Sequence, residues 1–163
     1  MPKDERIDAI DARLLLELSR HPRATTIALA EEVGIARNTA QARLARLENN
    51  GALGSFERRI TPAALGCRLT AFIAAQVMQR ELDDVAAALR KIPEVLEVHG
   101  TSGQIDLLIP VVAVDADDLY RIAGYILAIP GIERTTTSLV MRQLVEYRVD
   151  ELLRRVASAD GSR

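Results

Sequence analysis

Through the first third of the chain, apolar residues recur at helical intervals, and the breaks between runs fall on proline, glycine and asparagine. Ile7, Ile10, Leu14, Leu15 and Leu18 share one side of a helix that opens among aspartates and stops at Arg20-His21-Pro22. A short second helix turns Leu29, Ala30 and Val33 inward. Gly34-Ile35 then makes a tight turn into a third helix from about Ala36 to Asn49, ended by Gly51. Two helices joined by a glycine-containing turn, behind a support helix, make a helix-turn-helix layout. Leu53 to Ile60 reads as a short extended wing or linker strand closed by Thr61-Pro62.

From Leu69 the period changes. Leu69 to Val77 is a strand-like run, Leu82, Val85, Ala86 and Leu89 form a helical stripe, Ile92-Pro93 breaks it, and Val95 to Thr101 is extended. The order then repeats. Ile105 to Val112 is a strand, Leu119, Ile122, Ala123 and Ile126 make a helical stripe, Ile129-Pro130 breaks it, and Ile132 to Val145 is extended. Two β-α-β halves in tandem predict a ferredoxin-like βαββαβ sandwich, so the fold class is α+β. Both helices lie on one face of such a sheet. The other face, carrying Phe72 or Ile73 and the strand from Leu107 to Val112, is then apolar and uncovered, which predicts at least a dimer. The predicted plan is a winged helix-turn-helix over 1–62, a hinge over 63–68, the α/β domain over 69–149, and a tail over 150–163 whose Ser-Ala-Asp-Gly-Ser-Arg end reads as frayed.

Composition narrows the function. Of 163 residues, 48% are hydrophobic and 27% charged, a globular balance, and 3% aromatic residues with no Trp leave little for stacking single-stranded bases. The N-terminus is charged where an export signal is apolar, and no uncharged run approaches the ~20 residues that span a bilayer, so a cytoplasmic protein is expected. One cysteine, Cys67, and two histidines, His21 and His99, supply neither a disulfide nor zinc-ligand spacing, and no nucleophile, base and orienter line up. Neither metal nor cofactor is expected. The net charge of −2 is unevenly spread. Residues 34–59 hold five arginines against two glutamates, a local +3, whereas the chain from residue 69 onward is net −4.

That positive charge sits on the third helix. At 100° per residue Ala40, Leu44 and Leu47 form its buried stripe, which leaves Asn38, Ala42, Ala45 and Asn49 opposite, flanked by Thr39, Gln41 and Arg46. Asn and Gln pair bidentately with adenine, Thr contacts a thymine methyl, and Ala42 allows close approach, as in a major groove. Arg37 and Arg46 are placed for phosphates, and Arg58 and Arg59 for the backbone from the wing. Arg43 lies close to the buried stripe, where a structural ion pair and a phosphate contact are equally open.

Taken in order, Ile10-Asp11 through Leu18, Arg23-Ala24, Leu29-Ala30, Gly34-Ile35, Arg43, Leu47-Glu48 and Gly51-Ala52-Leu53 resemble the winged helix-turn-helix of the Lrp/AsnC (feast/famine) transcriptional regulators. Leu65-Gly66 resembles the junction that follows. Val95, Gly103-Gln104-Ile105-Asp106, Ile129-Pro130-Gly131-Ile132 and Thr135-Thr136-Thr137-Ser138 resemble that family's RAM ligand-sensing domain. The resemblance implies a sequence-specific regulator of double-stranded DNA that assembles into dimers and higher forms such as octamers. It also implies a small effector, an amino acid, bound between RAM domains by Gly103, Gln104 and Asp106 with Thr135 and Thr137. Taken without the family, Asp106 reads equally well as a turn residue and Thr135 to Ser138 as a β-prone edge. Ala36 replaces the family's usual Ser cap, and Ile105 an aromatic residue.

Two other functions fit the same architecture. Siroheme decarboxylases resemble it, but they carry His and Arg clusters with Trp-containing motifs that this chain lacks. An effector-independent, chromatin-architectural protein is the other.

Overall fold

The computed structural model describes residues 7–54 and 60–159. They fall into two compact units, the chain dividing between 58 and 59 and again between 144 and 145.

In the first unit, α1 (Ala9–Arg20) begins with a reciprocal cap. The Asp8 carboxylate accepts the Asp11 amide at 2.8 Å, and the Asp11 carboxylate accepts the Asp8 amide at 3.0 Å. Thr25 caps α2 (Thr26–Val33), which ends at Gly34 in the left-handed conformation. α3 (Arg37–Asn49) follows at once. Leu14, Leu29, Ala30 and Ala40 form the core, with Ile10, Leu18, Val33, Ile35 and Leu44 against it, so the apolar stripes read from the sequence are the packed ones. Ala36 caps α3 without a side-chain acceptor. Ala36→Ser supplies one and is expected to stabilise the protein by about 1 kcal/mol, seen as a higher urea midpoint; an unchanged midpoint would contradict it.

The tail corrects the sequence reading. Residues Asp150–Ala159 form a helix, α6, whose Leu153 is buried with Ala12 and Leu16 of α1, and Val156 and Ala157 pack beside them. A ten-residue helix gains most of its stability from such packing, which a local reading of polar residues near the terminus does not reveal. The wing expected over Leu53 to Ile60, with Arg58 and Arg59, lies largely outside the described residues; Leu53, Gly54 and Ile60 are not in a strand.

The second unit is a four-stranded antiparallel sheet of β1 (Leu69–Val77), β2 (His99–Gly100), β3 (Leu107–Ala113) and β4 (Ile132–Leu139), in the order β2-β3-β1-β4. With α4 (Leu82–Leu89) and α5 (Ala116–Leu127), this is the ferredoxin-like arrangement. Val85, Leu89, Ile122 and Ile126 of the helices bury against Ile73, Ala75, Ile109 and Val111 of the sheet. Two expected strands are shorter than read. Residues 95–101 give one bridge, Val95 to Val111, and the two-residue β2, and β4 stops at Leu139.

The repeated Ile-Pro motif makes two different turns. In both, the fourth residue donates its amide to the first carbonyl at 3.1 Å: Val95 to Ile92 and Ile132 to Ile129. The second turn carries Gly131 at φ 94, as a type II turn demands, whereas the first has Glu94 without positive φ. Glu94 instead pairs with Arg121 at 2.7 Å.

Candidate nucleic-acid interface and sensor site

The packing of Ala40, Leu44 and Leu47 leaves Arg37, Asn38, Thr39, Gln41, Ala42 and Arg46 exposed along α3. Among the described residues, no hydrogen bond engages the side chains of Arg37, Asn38, Thr39 or Gln41. Asn38, Thr39 and Ala42 line a shallow hollow of about 540 Å³ with Asp8, Arg43 and Arg46. Small and polar side chains around a helix ridge suit the edge of a base pair, where donors and acceptors decide the fit.

Arg43 takes the structural pairing that the sequence left open. Its Nη1 donates to Asp8 Oδ2 at 2.5 Å and to Asp11 Oδ1 at 2.9 Å. Arg46, expected only as a phosphate contact, also donates to Asp11, although its side chain stays 47% exposed. Asp11 is wholly buried beneath the two guanidinium groups. No spacing signals these partners beyond the Asp8–Asp11 cap, because the arginines lie 32 and 35 residues from Asp11. Burial acts to raise the Asp8 carboxyl, but the Asp11 amide and Arg43 outweigh it and hold it below its ordinary value. Arg43 is held above its own, first by Asp8 and then by Asp11. A lowered carboxyl stabilises the fold above its unfolded-state value, and that contribution is lost as pH falls through the folded one.

In the second unit Asp106 fastens a loop. Its carboxylate accepts the Val77 amide and the Gln79 side-chain amide, each at 2.9 Å, and its own amide donates to Ala75 at 3.0 Å. Gln76 donates to the Gln104 carbonyl at 2.8 Å, and Gly103 is exposed. The threonines do not join this loop. Thr135 pairs with Ala75 and Thr137 with Ile73, which places both on the helix-bearing face. Gln104 instead lines a hollow of about 230 Å³ on the open face, with Ala74, Gln76, Ile105, Arg134 and Thr136. Arg134 and Thr136, which the sequence reading did not single out, reach this face because an irregularity near Gln76 skips Glu133 and reverses the alternation that starts at Ile132.

Family models match both halves in order: a winged helix-turn-helix DNA-binding model over residues 7–53 and the Lrp/AsnC ligand binding domain over 70–150. The transcriptional regulator AldR of Mycolicibacterium smegmatis is 35% identical over 150 residues, 88% of each chain. The chain belongs to the Lrp/AsnC family. FL11, a transcriptional regulator of Pyrococcus horikoshii, is 30% identical across 83% of this chain and 90% of its own. A Neisseria meningitidis regulator solved with L-methionine shares the fold, with a TM-score of 0.76 at 24% identity over 90% of this chain and 99% of that one.

This Lrp/AsnC protein is therefore a transcriptional regulator, with its DNA-binding helices in the first unit and a ligand-binding domain in the second. Its relatives are named as regulators, so the decarboxylase and purely architectural readings are not favoured. Among the described residues no helix is long and apolar enough to cross a membrane.

Proposed function

We propose that this regulator lays α3 in the major groove of a cytoplasmic operator, with Asn38 and Gln41 reading base edges and Arg37 and Arg46 meeting phosphates. The observation that carries this is the exposed polar ridge of α3, where the side chains of Arg37, Asn38, Thr39 and Gln41 have no hydrogen-bond partner among the described residues. Gln41→Ala is expected to cost about 1–3 kcal/mol on the specific site and to relax specificity there. Operator competition that leaves specificity intact for both Gln41→Ala and Asn38→Ala would remove them as readers.

The effector is an amino acid, as the methionine complex of the Neisseria regulator suggests. In one subunit Gln104 opens on the face opposite Thr135 and Thr137. A ligand that touches both faces therefore bridges two copies. Such a ligand favours one assembly over another by its differential affinity, and the attached recognition helices change spacing.

The open face supports self-association. Phe72 is 39% exposed there whereas Ile73, toward the helices, is wholly buried, and Met141 and Leu144 beyond β4 are exposed as well. Dimers reading a pseudo-palindrome, assembled further to forms such as octamers, would cover this surface.

A further inference from the structure

The two arginines in the α3 hollow are already paired. Arg43 sits on Asp8 and Asp11, and Arg46 on Asp11, so two carboxylates of the α1 start cancel two guanidinium charges of the reading helix. The carboxylates are not equivalent. Asp11 is wholly buried and cannot face a ligand, whereas the Asp8 side chain is 50% exposed and lines the hollow beside Asn38, Thr39 and Ala42. A DNA strand approaching α3 therefore meets a negative charge in the one recess where two arginines would otherwise draw its phosphates.

That charge opposes a phosphate in two ways: it repels the oxygens, and it competes for Arg43. Neither effect depends on base sequence, because every duplex presents the same backbone. Base contacts from Asn38 and Gln41 depend on sequence entirely. A carboxylate at this position lowers affinity for all DNA alike and leaves the discrimination to the bases, so it sets how tightly the protein is held on DNA of any sequence.

We infer that Asp8 sets the sequence-independent part of the DNA affinity, repelling phosphates and holding Arg43 from them, so that the protein is held less tightly on DNA of any sequence. The inference rests on α3 being the reading helix.

Asp8 also caps α1, so the informative change is Asp8→Asn, because Asn caps as well as Asp while carrying no charge. The full-length variant is titrated with a random-sequence duplex and with an operator selected from random DNA, across a salt series. Affinity for the random duplex is expected to rise about three- to ten-fold at low salt, and the salt slope to steepen by roughly 0.9, the value of one additional neutralised phosphate. Affinity for the operator rises by the same factor, so the ratio of operator to random affinity stays unchanged. Asp8→Ser, a second uncharged cap, behaves alike, and Asp8→Glu stays near wild type. In an Arg43→Gln background the gain shrinks to what the loss of repulsion alone gives.

The inference is overturned if Asp8→Asn, melting near the wild-type temperature, binds random DNA no more tightly with an unchanged slope. It is equally overturned if the gain is undiminished in Arg43→Gln. Gln41→Ala on the operator separates the two layers. If it weakens operator binding while Asp8→Asn has no effect, only this inference fails; if neither it nor Asn38→Ala has an effect, the assignment of α3 as reader fails with it.

Discussion

Gly131→Ala is expected to destabilise the protein by about 2–4 kcal/mol, combining left-handed strain with overpacking. The residue sits at φ 94 in the turn between α5 and β4. A Cβ there would stand 2.8 Å from Glu81 Oε2, 2.9 Å from Glu81 Cβ and 3.0 Å from Val85 Cγ2. The carboxylate end of Glu81 can swing aside. Its Cβ and the wholly buried Val85 cannot, because they belong to the start of α4 against the sheet. Nor can the turn retreat, since the Gly131 carbonyl accepts the Met78 amide at 2.9 Å and so ties the end of β1 to the start of β4. Urea unfolding measures the cost. A change below about 0.5 kcal/mol, the scale of a neutral surface substitution, would show that the turn relaxes freely.

Asp11→Ala is expected to cost about 2–4 kcal/mol, because it removes the buried anion under two guanidinium groups and half of a helix cap. The value stays toward the lower end of what breaking a buried ion pair costs. Arg43 keeps Asp8, and Arg46, 47% exposed, turns to water. Asp11→Asn should lose less, since its side-chain oxygen can still accept the Asp8 amide. Chemical denaturation of both variants checks the order, and an Asp11→Ala protein as stable as wild type would mean that the pairs hold nothing together.

The sequence displays those features of the molecule that are local and periodic. The stripes through Leu14, Leu29, Ala40 and Leu47 return every three or four residues, and Ile129-Pro130-Gly131-Ile132 names its turn type. Features that depend on a distant partner were hidden. α6 is amphipathic, with Leu153 and Val156 a turn apart, but its apolar side means little until Ala12 and Leu16 of α1 receive it. The arginine pairing of Asp11 joins residues more than thirty positions apart.

In the sensor half one inserted residue decides which face the strand rule selects. Thr135 and Thr137 do share a face, as i, i+2 spacing in a strand requires. Which face they share depends on the pairing with β1. Val77 stands opposite Ile132 and Gln76 opposite Arg134, so Glu133 is skipped. That single shift brings Arg134 and Thr136, rather than the two threonines, to the hollow beside Gln104.

The most direct test of the whole account is selection of binding sites from random duplex DNA by the wild-type protein. The Asn38→Ala/Gln41→Ala double variant is then assayed on the enriched sequence. The account predicts enrichment of a pseudo-palindromic site bound at least about a thousandfold more tightly than random DNA. It also predicts that the variant loses this preference while still binding duplexes without regard to sequence. No enriched sequence, or an enriched sequence that the variant binds as well as wild type does, would contradict it.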